Sequence, residues 1–531
     1  MENTPLKIFE EYKKGCEFKS GLGSKGLFEQ SKINERFYIG DQWHGAKCGN
    51  ERPLVRHNII KRIADYKISQ ILSSPLSLRF SADGIPSYNF KQENFDFNTF
   101  SKENKLCENE INYMMNVFSN YFKVTSERVK LNDINEQILR KAYITGSAVL
   151  YTYWDKDINT GLFADGSKTI RLKGDIACEV LDIEDIIFAD PYSEDLQKQT
   201  YIIISSRQDV DDVLREARLN GADLLTLTRI SECGEEGKIT VLTKLYKEYI
   251  DGIGYTIKSV KVCEDAVIRD AFDTGLRLYP LAIFSWERKN NLIYGESEIT
   301  YLIPNQIAIN RMITANVWSA MTNGMPIMVV NGDTVTQKIS NDPGQIIKVY
   351  GSNEDVVGAV NYVTPPSFAK DFDSSINALI NNTLTQSGAN EVALGDSKAE
   401  NATALFAMRD AALMPLQIIK NRFYVFVEDI ARIWTDFWVT HYGKRALKIE
   451  DKGGSKYILF NGDRYKELAV CTRVDIATAS LYSEKERTEM LINLFEKGVI
   501  NRAQLLQRLP DGIVSNIEEL LSTEVVDDEG I

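Results

Sequence analysis

The stretch from Gly295 to Gly324, GESEITYLIPNQIAINRMITANVWSAMTNG, constrains the fold more than any other part of the chain. Its apolar residues recur at helical spacing over about the length of a membrane span, and Arg311 is its one charged residue after Glu298. A bilayer would have to bury Arg311 and a row of amides, which is costly. Amides and hydroxyls instead suit an interface between repeated copies, because they hydrogen-bond without placing like charges side by side. We therefore predict that this face meets other copies of the same helix through Asn305, Gln306, Asn310, Arg311 and Thr314.

The composition indicates a globular chain of two or more packed units, since 531 residues are too many for one ordinary core and 44% are hydrophobic. The 62 basic and 75 acidic residues give a net charge of -13, which disfavours tight, sequence-blind binding of DNA. Seven scattered cysteines without a C-x-x-C pair indicate reduced thiols and predict neither a metal site nor a cofactor. The start of the chain has no signal-peptide pattern and no window suits a bilayer, so we expect no membrane association.

The first part of the chain changes from helices to strands. Apolar residues repeat at helical spacing in 53–75 and 104–144, with Tyr66 or Lys67 on the apolar stripe of the first. Short segments rich in β-branched and aromatic residues follow, from GSAVLYTYWD to GYTIKSVKVCED, and predict a strand meander. The sequence thus predicts an α+β fold up to about residue 290.

The second part alternates again. Turn signals in the segment after Pro326 predict a small β module inserted between two helices, and a polar loop follows the second helix. A long helix is expected from 404 to 442, with Pro415 kinking it and the aromatic run from Phe423 to Trp438 forming a buried face. Further strands are predicted after residue 442, and they are followed by helices and an acidic tail.

The sequence contains no convincing catalytic motif. A phosphate-binding G-x-x-x-x-G-K-[ST] is absent. The carboxylates of DIEDIIFADPYSED, which are Asp182, Glu184, Asp185, Asp190, Glu194 and Asp195, leave one alternative open, a nucleic-acid-processing enzyme with a metal-dependent site. A solvated turn is the favoured interpretation of that segment, because Asp and Glu are usually exposed. We expect no enzymatic activity.

The order of parts resembles the portal proteins of tailed double-stranded DNA bacteriophages along nearly the whole chain. The segments that carry the resemblance are Asn34-Glu35-Arg36-Phe37-Tyr38 with Gly40-Asp41-Gln42-Trp43, GSAVLYTYWD, FADPYSED, YGESEITYLIPNQIAIN, DPGQIIKV and NATALFAMRDAAL. The resemblance implies a portal-like subunit with a wing, a two-helix stem, a small β clip, a long kinked helix and a helical crown. Its parts would be a wing at 1–296 and 443–482, stem helices at 297–324 and 367–388, a clip at 325–366, a tunnel loop at 389–403, the long helix at 404–442 and a crown with an acidic tail at 483–531.

By the same resemblance the chain would form a homo-oligomeric ring, a dodecamer, at one capsid vertex. Double-stranded DNA would pass through the ring without sequence specificity during packaging and ejection. The implied protein partners are the terminase packaging motor, the head-completion adaptor, and the major capsid and scaffolding proteins. The protein would be part of the virion and would reside in the host cytoplasm during assembly.

Two further sets of residues are assigned through the resemblance. The tunnel loop would present Glu391, Asp396, Ser397, Lys398, Glu400 and Asn401 to the DNA channel. The clip would dock the motor and adaptor through Asp333, Thr336, Gln337, Lys338 and Asp342. From 295 to 442 the chain has nine Lys or Arg against fifteen Asp or Glu, so the expected channel segment is acidic and would favour passage of DNA over its capture.

Overall fold

The computed structural model describes residues 4–45, 53–73, 77–82, 108–158, 174–251, 254–324, 327–335, 337–339, 346–363, 371–389, 413–451, 454–465, 470–475, 484–501 and 505. The helices are α1 Pro5–Ser20, α2 Leu27–Ile39, α3 Ile59–Leu72, α4 Glu108–Arg128, α5 Leu131–Thr145, α6 Val210–Leu219, α7 Leu224–Glu232, α8 Glu298–Gly324, α9 Asn353–Gly358, α10 Asp371–Gln386, α11 Leu416–His441 and α12 Glu484–Glu496.

The strands are β1 Ser77–Ala82, β2 Ser147–Asp155, β3 Asp175–Asp182, β4 Ile186–Phe188, β5 Tyr201–Asp209, β6 Lys238–Ile250, β7 Gly254–Val262, β8 Val267–Asp273, β9 Leu281–Ser285, β10 Glu287–Lys289, β11 Leu292–Glu296, β12 Ile327–Val330, β13 Val360–Val363, β14 Lys444–Asp451, β15 Gly454–Asn461 and β16 Val470–Asp475. Helices and strands are both abundant, so the predicted α+β class is confirmed.

The predicted meander is a five-stranded antiparallel sheet in the order β4-β5-β6-β7-β8. Alternation along its strands gives it two apolar faces. On one face Ile8 of α1 packs with Ile203 and Leu242. On the other, Val213 of α6 packs with Val241. The sheet is therefore covered by helices on both sides.

The main core joins segments that are far apart in the sequence. It contains apolar residues of α3, α4, α5 and α11 and of the three-stranded sheet β3-β2-β9. The predicted aromatic face of α11 is buried in it, since Phe423, Phe426, Trp434 and Trp438 are at most 1% exposed. β1 pairs antiparallel with β16, so the N-terminal and C-terminal parts belong to one unit.

The long helix differs in extent from the expectation. Its described part begins at Leu416, with Pro415 as the residue before the first turn in right-handed helical conformation at φ -62° and ψ -31°. Proline fits there because the first helical residues have no intrahelical acceptor for their N–H groups. Residues 404–412 lie outside the described part, so a kink at Pro415 stays a prediction.

Candidate assembly surface: the paired helices and the small β module

The amides of α8 are bonded within the same chain, which corrects the prediction that they face other copies. Gln306 accepts a hydrogen bond from Ile59 N at 3.0 Å through Oε1 and donates one to His57 O at 2.6 Å through Nε2. Asn310 accepts from His57 N at 3.0 Å and donates to Gln42 Oε1 at 2.6 Å. Both side chains are buried. The physical reason is that residues 53–58 form no strand and need partners for their backbone groups, which the amides supply.

Thr314 continues this ladder, since its Oγ1 accepts from Val55 N at 3.1 Å. Thr314 is only half-buried, so its predicted contact with another copy stays a prediction. The extended segment 53–58 lies along one side of α8. Three polar side chains spaced four residues apart bind it there, namely Gln306, Asn310 and Thr314.

A different side of α8 packs against α10. Asn305 Nδ2 donates to Thr383 Oγ1 at 3.3 Å, and Asn316 Nδ2 donates to Asp373 Oδ1 at 2.7 Å. The later residue of α8, Asn316, contacts the earlier residue of α10, so the two helices run antiparallel. Asn305 thus contacts the other helix of its own chain, and the helix pair is a structural unit.

The exposed surface of this helix pair is nearly uncharged. The exposed residues of α8 between 299 and 321 include one charge, Arg311, and those of α10 between 372 and 386 include one, Asp373 in the first turn. The other exposed side chains of that part of α10 are Ser374, Ser375, Asn377, Ala378, Asn381, Asn382, Thr385 and Gln386. Solvated helix faces are normally rich in Lys and Glu, so this composition is typical of a face that meets protein.

The β module lies in sequence between α8 and α10. β12 and β13 pair antiparallel, Asn331 N donates to Ala359 O at 2.9 Å, and Tyr350 N donates to Thr334 O at 3.0 Å. Val335 and Ala359 are its buried apolar residues in the described part. Larger apolar side chains stay exposed, namely Val329 at 50%, Ile346 at 79%, Tyr350 at 66%, Val356 at 53% and Val357 at 85%. A two-stranded ribbon with so little buried core is marginal by itself.

The predicted clip residues fall on the surface of this module where the structure describes them. Asp333, Gln337 and Lys338 are exposed, and Gln337 Oε1 accepts from Lys348 N at 3.4 Å. Thr336 and Asp342 lie outside the described residues, and so do all of the predicted tunnel-loop residues, Glu391, Asp396, Ser397, Lys398, Glu400 and Asn401.

Arg311 lies in a cleft of about 370 Å³ between α2, the turn after it, and α8. Arg36 shares this cleft, whose apolar wall includes Phe37 and Trp43. Trp43 Nε1 donates to Val55 O at 3.0 Å, which fixes the ring against the extended segment. Arg36 and Arg311 are both exposed, and neither has an ion-pair partner within the described part of the chain.

The root of α8 holds buried charge. Lys67 and Glu298 form an ion pair of 2.6 Å, and Arg422 Nη1 donates to Trp286 O at 2.7 Å. Burial, and then the nearby Glu298 carboxylate, raise the pKa of Glu287. Nothing in the sequence pattern marks Glu298 as an anchor, although the position of Lys67 on the apolar stripe of α3 indicates that its side chain is buried.

The carboxylates of the segment 182–195 are used locally. Asp182 pairs with Lys141 at 2.8 Å, Asp195 accepts from Gln197 N, and Glu194 accepts from Asn291 N. Burial raises the pKa of Glu184 and of Asp185. The described residues contain no group of three or more His, Cys, Asp or Glu side chains arranged to hold a metal ion. Among them, too, no helix has the length and apolar character that crossing a bilayer requires.

One solved structure can be set beside this architecture. It is a chain from the virion of a native gene transfer agent particle, aligned at 9% sequence identity over 94% of this chain and 99% of that chain, with a TM-score of 0.37. A similarity of this size does not define the fold or the function of the present chain. No protein-family model and no curated protein sequence matches it.

Proposed function

We propose that this chain is the subunit of a portal ring of a tailed double-stranded DNA bacteriophage or a related particle. The resemblance of its sequence segments to portal proteins suggests the role. The observation that carries the proposal is structural: an antiparallel helix pair with a nearly uncharged exposed face is joined by a β module whose apolar side chains are uncovered. Both features need a protein partner, and further copies of the chain would supply it.

The helix pair supports a stem. In a ring each copy presents one face to a different face of the next copy, and every charge on those faces is repeated around the axis. Serines, asparagines and alanines tolerate this repetition, whereas a row of like charges would repel. The exposed face of α10 has that composition over 374–386.

The β module supports a clip. Val357 is 85% exposed and Ile346 is 79% exposed in the single chain. Burying such side chains between neighbouring modules would contribute about 25 cal/mol for each Å² of apolar surface removed from water. The exposed polar surface of the module, with Asp333, Gln337 and Lys338, would dock the packaging motor and later the head-completion adaptor.

The charge of the channel segment supports a passage for DNA rather than a binding site. Residues 295–442 have an excess of acids over bases. Because a ring multiplies this excess, its field would keep the phosphate backbone from adhering while DNA slides. Capsid and scaffolding proteins would surround the wing.

The test is to purify the full chain and image it by electron microscopy, with mass photometry to count subunits. We expect rings with a central hole. Val357→Asp should reduce ring formation without lowering the melting temperature of the monomer, because Val357 makes little contact within the chain. Leu219→Asp is the matched control, since Leu219 is 83% exposed on α6, outside the proposed contact. Monomers at every concentration, or rings unaffected by Val357→Asp, would contradict the proposal.

A further inference from the structure

We propose that Asp373 on α10 of one copy enters the Arg36 and Arg311 cleft of the next copy, and that this contact sets the register of the ring. The inference rests on the proposed ring and adds to it the identity of the contacting residues. It starts from the positions of the few charges on an otherwise neutral helix pair.

The two sites lie on well separated sides of the helix pair. Asn316 of α8 holds Asp373 at 2.7 Å, and so marks the side of α8 that faces α10. Arg311 is five residues earlier, which places it about 140° around the helix and about 7.5 Å along its axis. One copy therefore presents the carboxylate on one flank and the cleft near the other, as a head-to-tail ring contact requires.

The charges are complementary and available. Asp373 is exposed, and the neutral amide of Asn316 donates a hydrogen bond to it. It lies in the first turn of α10, where the helix dipole favours a carboxylate. Arg36 and Arg311 bring two guanidinium groups to one cleft, and in the described part of the chain no acid pairs with either.

The cleft suits a carboxylate on a protein surface better than a phosphate of DNA. Asp41 also lines the cleft, 3.5 Å from His44 Nδ1, so the two arginines leave it an excess of about one positive charge, which a single carboxylate neutralises. The cleft also has apolar walls, which would fit the Ala and Ser surface of α10 from a neighbouring copy. These walls are formed by Ile33, Phe37, Trp43 and Ile307. A second copy is the occupant that these features favour.

The contact would supply specificity that the rest of the interface lacks. Faces built of amides, hydroxyls and alanines can slide past each other at little cost, whereas one charge pair in every interface penalises a shifted register. This also gives a reason for Arg311, the single exposed charge between 299 and 321.

The experiment is a charge swap in the full chain. Arg311→Asp and Asp373→Arg should each raise the concentration for half-assembly by about tenfold or more, since like charges then face each other. The double variant Arg311→Asp/Asp373→Arg should return it to within about threefold of the unmodified chain, because the pair is restored with reversed polarity. The melting temperature of the Arg311→Asp monomer should be unchanged, as that side chain is exposed. Asp373→Arg should lower the melting temperature slightly, because it removes the hydrogen bond from Asn316 and the favourable position of a carboxylate at the start of α10.

The outcomes separate the two proposals. If the unmodified chain forms rings but the double variant stays as impaired as the single ones, this pairing is wrong while the ring stands. If the unmodified chain forms no rings, both fail. Arg218→Asp on α6 is the control for a lost surface arginine and should assemble normally. DNA binding by the unmodified monomer that disappears in Arg311→Asp would assign the cleft to phosphate and overturn the inference.

Discussion

Lys67 Nζ lies 2.6 Å from Glu298 Oε1, and this buried ion pair joins α3 to the first residue of α8. The second carboxylate oxygen of Glu298 accepts from Trp286 Nε1 at 3.1 Å. The neighbouring Ser297 Oγ donates to Tyr143 O at 2.6 Å. The beginning of α8 is thus fixed by contacts with α3, α5 and the residue that follows β9.

Breaking this pair should destabilise the body strongly. Lys67→Met leaves the Glu298 carboxylate buried without its cation, and we expect the free energy of unfolding in urea to fall by about 3–5 kcal/mol. The double variant Lys67→Met/Glu298→Gln should recover much of that loss, because no unpaired charge remains. Lys61→Met is the control on the exposed side of α3, with an expected change within about 0.5 kcal/mol. Equal effects at Lys61 and Lys67 would show that the pair is not an anchor.

The amide ladder of α8 gives a second prediction. Gln306→Leu removes the side-chain partner of Ile59 N and of His57 O and leaves these two groups only the 3.0 Å bond between them, at a cost of about 0.5–1.5 kcal/mol for each hydrogen bond lost. Hydrogen exchange at the Ile59 amide should become faster, which reports the loss of this particular bond. The matched control is Asn381→Leu, on the exposed face of α10. Unchanged exchange at Ile59 in Gln306→Leu would contradict the assigned contact.

The strands and the buried aromatic face of α11 could be predicted from the sequence because their signals are local. In β5, Ile202, Ile203 and Ile204 form a short apolar run of the kind that a sheet covered on both faces requires. Along α11 the aromatic residues recur at helical spacing and are buried. The spacing of the apolar residues and their types are enough to predict such elements.

The partners of the polar residues could not be predicted, because spacing gives the face of a helix and not its neighbour. The composition of α8 predicts that Gln306 and Asn310 contact other copies, yet both bind the segment 53–58 of the same chain. That segment has no periodic pattern from which its position could be predicted. The same limit applies to β1 and β16, whose pairing joins opposite ends of the chain. The proposed contact between Arg311 and Asp373 of neighbouring copies likewise depends on how α8 packs against α10, which no sequence pattern gives.

Trp438 should be a main determinant of the stability of the body. Its ring centroid lies 5.2 Å from that of Tyr121 and 5.6 Å from that of Phe118, both in α4. Trp438→Ala removes a fully buried indole and should lower the free energy of unfolding by about 3–5 kcal/mol, because the cavity can close only in part. Val425→Ala, at a position 45% exposed on the same helix, is the control and should change it far less. Similar melting temperatures for the two variants would contradict the contact geometry.

Lys19 adds a dependence of stability on pH. Its side chain is fully buried at the end of α1, where Nζ donates to Ile183 O at 2.9 Å and to Glu184 O at 2.7 Å. Burial lowers the pKa of Lys19 from its ordinary 10.5 to about 7, although the nearby charges of Glu184 and Asp185 favour the protonated form. The folded chain therefore holds this proton less firmly than the unfolded chain does.

The sign of the effect follows from proton linkage. Below pH 7 both states bind the proton and the cost of burying the charge is complete. Between pH 7 and about 10 the unfolded state binds more protons, so the contribution of Lys19 to stability rises with pH, by at most about 1.4 kcal/mol per pH unit. We expect the difference in unfolding free energy between the unmodified chain and Lys19→Met to be nearly constant below about pH 6 and then to move in favour of the unmodified chain up to about pH 9. Urea titrations measure it, and the difference for the exposed Lys14→Met should stay flat throughout. A flat difference for Lys19→Met as well would mean that the buried amine keeps an ordinary pKa, held by the two carbonyl groups and the rings of Phe28 and Tyr294.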